Sequence, residues 1–177
     1  MPTATLSLVL SHAPFWVWLL LKVLLVLGLA AARDRTLPRA AALLMPAGFA
    51  SWSLVSAAAG PAGALAGAVA WGLGAAGAAG LARRAGWPRG VRAVPGSTRV
   101  FVPGSWWPLA LFLALFVAKF TVGALQGVHH PLLASPAFTT GLATVYGAFS
   151  GLFLARGLAA WQVARPHLGR LLRPANA

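Results

Sequence analysis

The chain has 177 residues, of which 59% are apolar and 8% charged, with a mean hydropathy of +0.80. A water-facing surface takes about 25% charged residues, so the composition excludes an ordinary soluble domain. A net charge of +13 and a pI near 12.0 would point to nucleic acid in a soluble protein. Here the bases flank apolar runs instead, so anionic phospholipids are the expected partner and nucleic acid is not. The absence of cysteine removes disulfides, thiolate chemistry, Fe–S clusters and Cys-ligated zinc.

A helix needs about 20 apolar residues to cross the roughly 30 Å hydrocarbon core. Five runs of that length, at residues 14–32, 40–59, 62–82, 106–128 and 134–155, predict five transmembrane helices. The expected fold is an all-α integral membrane bundle, a single domain over residues 1–177. The first run contains Lys22 and ends in Ala30-Ala31-Ala32, which resembles a signal-peptide cleavage site. Against cleavage stand the missing basic n-region, the lysine itself, and the basic cluster that cleavage would leave outside. An uncleaved anchor with its N-terminus outside is the favoured alternative. Gly60-Pro61 separates the second run from the third, because proline lacks an amide hydrogen and restricts the residue before it. The third run carries Gly63 and Gly67 and then Gly72, Gly74, Gly77 and Gly80 among alanines, which marks it as the central, closely packed helix. Gly123 and Gly127 in the fourth run, and Gly147 and Gly151 in the fifth, repeat the four-residue spacing.

Charge orients these spans. All twelve arginines fall in three clusters: Arg33, Arg35 and Arg39; Arg83, Arg84, Arg89, Arg92 and Arg99; and Arg156, Arg165, Arg170 and Arg173. Short loops rich in Lys and Arg stay cytoplasmic, and only five spans with the N-terminus out and the C-terminus in put every arginine on that side. Trp16 and Trp18 then mark the outer interface, and Trp87, Trp106, Trp107 and Trp161 the inner one. Residues 83–105 form a basic cytoplasmic loop between the third and fourth helices, and residues 156–177 a cytoplasmic tail. Pro95-Gly96 suits the centre of a type II turn, so Val91 to Val94 and Thr98 to Val102 could pair as a hairpin. Arg83, Arg84, Arg89, Arg92 and Arg99 are candidate contacts to anionic lipid, alongside the plainer role of topology determinants.

Two lysines break the pattern. Lys22 lies about 12 Å from the outer end of its span and Lys119 about 13.5 Å, at 1.5 Å per residue. The only acidic residue is Asp34, in the first inner loop, so no carboxylate inside the membrane can pair with either lysine. Such a lysine must be neutral, solvated in a polar cavity, or paired with an anion. Lys119, Gly123, Gln126 and His130 recur at helical spacing on one face, as do Thr139, Tyr146 and Ser150. Lys22, Lys119, Gln126, Tyr146 and His130 are therefore candidate ligand-binding residues. The alternative is that each lysine snorkels separately and each hydroxyl bonds to its own helix. His12, His129 and His130 fall on the outer side, but without a carboxylate or cysteine they make a poor metal set, and no metal or cofactor is expected. No HExxH, GxSxG, phosphate-binding loop or carboxylate pair occurs, so no catalytic residue is assigned and no enzyme is expected.

The stretches Ser11-His12-Ala13-Pro14-Phe15-Trp16-Val17-Trp18, Pro88-Arg89-Gly90-Val91-Arg92, Val102-Pro103-Gly104-Ser105-Trp106, Lys119-Phe120 and Tyr146-Gly147-Ala148-Phe149-Ser150-Gly151 resemble a family of small multi-pass bacterial inner-membrane proteins of unknown function. The resemblance runs through most of the chain and implies a multi-helix membrane fold in the bacterial inner membrane. It brings no established activity, so no functional residue carries over. Two functions remain. One is a non-enzymatic membrane component, an accessory or scaffold subunit with Gly/Ala faces for self or partner association. The other is a small carrier or receptor for an anionic or amphipathic solute, recognised by Lys22 and Lys119.

Overall fold

The computed structural model describes residues 14–163 and is mostly helical. Five helices follow one another: α1 (Phe15–Ala31), α2 (Arg39–Ala58), α3 (Ala64–Arg84), α4 (Trp107–Gly127) and α5 (Pro136–Val163). Three short strands, β1 (Arg35–Pro38), β2 (Arg92–Ala93) and β3 (Arg99–Val102), lie between them. Four helices, α2 to α5, are long and apolar enough to cross a membrane; α1, with 17 residues, is a shorter apolar helix. Large apolar side chains stay exposed along them, among them Leu44, Met45, Trp52 and Val55 on α2 and Leu65, Val69 and Leu73 on α3. Helices apolar on the outside as well as the inside suit lipid rather than water.

The chain divides into two compact units. In the first, α1 and α4 pack together. Ser105 N–H donates to the Ala31 carbonyl at 3.0 Å, and Gly28 lies against Leu109 so closely that a Cβ there would collide with its side chain. The end of α1 thus meets the start of α4, and the two run antiparallel.

The second unit holds α2, α3, α5 and the sheet. Its centre is an interface of backbone against backbone. A Cβ at Gly74 would strike the Thr144 carbonyl, one at Gly147 the Trp71 carbonyl, and one at Gly151 the Ala75 carbonyl. Residue numbers rise together along both helices, so α3 and α5 are parallel. Close approach of this kind is how helices gain van der Waals contact in lipid, where apolar burial drives little. Helix α2 runs antiparallel to both. Gly67 of α3 abuts the Ala57 carbonyl, Gly157 of α5 lies against Ala42 and Pro46, and the Phe49 and Phe153 rings meet edge to face at 6.1 Å. Trp71 Nε1 donates to Ser53 Oγ at 3.1 Å and ties α3 to α2.

The sheet has the order β1-β3-β2, with both pairings antiparallel. The hairpin expected from Pro95-Gly96 is present. Gly96 has φ +71°, as the third position of a type II turn requires, and Ser97 N–H donates to the Val94 carbonyl at 3.2 Å. Strand β1, which the sequence pattern did not predict, adds to the other side of β3 with Arg35 opposite Val102 and Leu37 opposite Val100. Paired residues of an antiparallel ladder share a face. That face buries Val100 and Val102 with Leu37 against Ala160 of α5 and Ala42 of α2. Helix α5 accordingly continues past the expected end at residue 155, through Arg156 to Val163.

Candidate functional site

The five predicted ligand-binding residues are divided between the units. Lys22 on α1 and Lys119 and Gln126 on α4 belong to the first, and all three are exposed. From the Gly28–Leu109 contact, Lys22 lies six residues toward the start of α1 and Lys119 ten toward the end of α4, which offsets the two along the helix axes by about 6 Å at 1.5 Å per residue. Lys22 is also about 120° around α1 from Gly28, at 100° per residue, so it projects away from the line of closest approach. Lys119 and Gln126 are seven residues apart on one face of α4, with Gly123 between them open to its surroundings. His130 is half-buried in the turn after α4 and donates its backbone N–H to the Leu125 carbonyl at 3.0 Å. His129 beside it is exposed and takes a left-handed φ of +49°. His12 and His167 lie outside the described residues.

Tyr146 belongs to the second unit and is buried on the face of α5 that carries Gly147 and Gly151. Its two expected companions are engaged locally. Thr139 Oγ1 donates to the carbonyls of Ser135 and Pro136, both at 3.1 Å, and Ser150 Oγ to the Tyr146 carbonyl at 2.9 Å. These hydroxyls bond back to their own helix, which satisfies the donor where water is absent.

The candidate lipid-contact arginines, Arg83, Arg84, Arg89, Arg92 and Arg99, are all exposed. Arg92 and Arg99 flank Phe101 on the outer face of the sheet, with the Arg92 guanidinium 4.8 Å from the ring centroid. Arg89 donates to the Ala85 carbonyl at 3.1 Å, just past the end of α3. Gly86, at φ +67°, closes that end, with Trp87 N–H reaching the Ala82 carbonyl and Gly86 N–H the Arg83 carbonyl.

Sequence reasoning missed a second basic group, on the inner side of the sheet. Arg35 lies on the Leu37 face of β1, Arg39 opens α2 directly after the strand, and both are half-buried; the Nε of each is buried and makes no hydrogen bond among the described residues. The Arg39 guanidinium stacks 4.6 Å above the Trp161 ring of α5. One and a half turns earlier on α5, Arg156 is also half-buried, donates to the Pro103 carbonyl at 3.4 Å, and is near enough to Arg35 for their charges to repel. Asp34 carries the single acidic side chain of the chain. Its Oδ1 accepts the Gly104 N–H at 2.6 Å. The signal for this group was the i, i+2, i+4 spacing of Arg35, Leu37 and Arg39, a strand period hidden inside a span flank.

Nothing among curated proteins and nothing among solved structures matches the chain. The model of one protein family matches residues 2–169, nearly the whole sequence. The chain belongs to that family, described as a family of unknown function (DUF6622).

Proposed function

We propose that this protein is a non-enzymatic, multi-pass component of the bacterial inner membrane, N-terminus out and C-terminus in, that serves as an accessory or scaffold subunit. The direction of the helices carries the reading. Helices α3 and α5 are parallel to each other and antiparallel to α2, while the flanks of α2 and α3 join in one sheet that rests on the end of α5. The arginines of the sheet then share one face, which the charge rule makes cytoplasmic. Arg83, Arg84, Arg89, Arg92 and Arg99 rest against anionic headgroups there, each gaining about 1 kcal/mol.

Association with another membrane helix is supported by glycines the fold leaves unused. At Gly72, Gly77 and Gly80 on α3, and at Gly123 and Gly127 on α4, an added Cβ would meet nothing within 4 Å. Small residues with open space beside them are what a second helix, from a copy or a partner, needs for close approach.

Because the chain has no cysteine, single introduced cysteines report topology directly. In intact cells a membrane-impermeant maleimide should label Ser135→Cys, between α4 and α5, and should reach Ser97→Cys, in the sheet turn, only after permeabilisation. The reverse pattern, or equal labelling of both, would overturn the orientation.

A further inference from the structure

We propose that Arg35, Arg39 and Arg156 form a binding cradle for a phosphate group on the inner side of the sheet, distinct from the exposed arginines of its outer face. Three observations converge on it. The first is unmet hydrogen bonding. A guanidinium has five N–H donors and no acceptor, and the Nε donors of Arg35 and Arg39 are buried without a partner among the described residues. The second is uncompensated charge. Arg35 and Arg156 are close enough to repel and both are half-buried, and the one acidic side chain, Asp34, gives its Oδ1 to the Gly104 N–H. The third is the start of α2. Arg39 is the first residue of this 20-residue helix, which has no side-chain cap, so the positive end of its dipole adds to the same charge.

A phosphate answers all three. Its oxygens accept several charge-assisted N–H bonds, and the planar guanidinium fork matches them two at a time. The surroundings restrain each arginine. Arg39 is pinned on Trp161, Arg35 is fixed by β1 pairing with β3, and Leu37 between them is locked into the Val100, Val102 and Ala160 cluster. The outer face offers Arg92 and Arg99 without that enclosure.

The phosphate could come from a lipid headgroup or from a soluble phosphate, and the experiment separates the two. Full-length protein in a neutral detergent is titrated with phosphatidylglycerol in mixed micelles, with inorganic phosphate, and with chloride at matched ionic strength, while thermal unfolding is followed. The expected result is a rise in Tm with a phosphate species beyond that with chloride. It should weaken about tenfold in apparent affinity in Arg35→Gln/Arg156→Gln, and the response to inorganic phosphate should stay unchanged in Arg92→Gln/Arg99→Gln. A response to phosphatidylglycerol alone assigns the headgroup, and a response to inorganic phosphate as well assigns a soluble oxyanion. The lipid arm rests on the membrane reading above; the inorganic phosphate arm does not. If the double variant fails to fold, Arg39→Lys, which keeps the charge and loses the fork, should show the same weakening. A wild-type protein that responds to neither phosphate species beyond chloride, or a folded Arg35→Gln/Arg156→Gln variant that responds as wild type does, would overturn the proposal.

Discussion

The parallel packing of α3 on α5 makes a prediction with opposite signs at two kinds of glycine. At Gly147 an added methyl would run into the Trp71 carbonyl oxygen and carbon, backbone atoms that cannot rotate away; at Gly77 it would meet nothing within 4 Å. Replacing glycine by alanine inside a helix gains about 1 kcal/mol from the lower entropy of the unfolded chain. Overpacking a close contact costs about 1–3 kcal/mol. Gly77→Ala should therefore stabilise by up to about 1 kcal/mol, whereas Gly147→Ala, whose clash is with backbone and so lies at the upper end of that cost, should lose about 2 kcal/mol net, and Gly147→Leu more, because it also wedges the helices apart. Gly151 sits one turn on against Ala75, so a backbone shift forced at one site relieves the other. The double alanine variant should lose less than the sum of the two single ones. Thermal unfolding in detergent, read through tryptophan fluorescence, measures all of these. Should Gly77→Ala and Gly147→Ala move the Tm in the same direction, or Gly147→Ala match wild type, the close α3–α5 approach is wrong.

Other perturbations test separate parts of the structure. Asp34→Ala removes the acceptor for Gly104 N–H and should cost about 1 kcal/mol in thermal unfolding, with Asn retaining part of the bond. Gly96→Val places a β-branched side chain at φ +71° and should lower the Tm by an amount corresponding to about 1–2 kcal/mol. Converting Lys22 or Lys119 to Met removes a charge whose insertion at the bilayer centre costs about 2.5–3.5 kcal/mol. The membrane-inserted yield should rise with folding intact; a loss of stability in either variant would instead favour a solute site built on the lysines.

The parts of this fold that were legible in the sequence are those set by length and by glycine. Five apolar runs locate five helices because a helix satisfies its own backbone, so apolarity over about 20 residues suffices to specify it. The Pro95-Gly96 turn was legible because only glycine takes its φ without strain. Strand β1 was not, since Arg-Thr-Leu-Pro lacks the apolar alternation of a half-buried strand and forms only because β3 supplies its partners. The extent of α5 was missed for a related reason. Arg156 looks like the end of a span, but the helix has the sheet to pack on beyond it, with Ala160 buried beneath Val100 and Val102. On α5 the period relating Thr139, Tyr146 and Ser150 was correct, yet a period cannot say whether a hydroxyl faces a cavity or its own carbonyl ladder.

The placement of the arginines around the sheet implies a dependence on salt that ordinary ion-paired proteins do not share. Surface ion pairs weaken as salt rises, because screening removes an attraction. This chain has one acid and three half-buried arginines on the inner face of its sheet, so what screening removes there is repulsion, between Arg35 and Arg156 and between Arg39 and the N-terminal dipole of α2. The Debye length falls from about 10 Å at 0.1 M to about 3 Å at 1 M, so chloride over that range should raise the Tm of lipid-stripped protein. Removing one partner of the repulsion should flatten the response, and Arg156→Gln is the direct case. Arg84→Gln, at the exposed end of α3, should leave it intact. A wild-type Tm that falls with chloride, or an Arg156→Gln variant with the same salt slope as wild type, would mean that these charges are already neutralised within the fold.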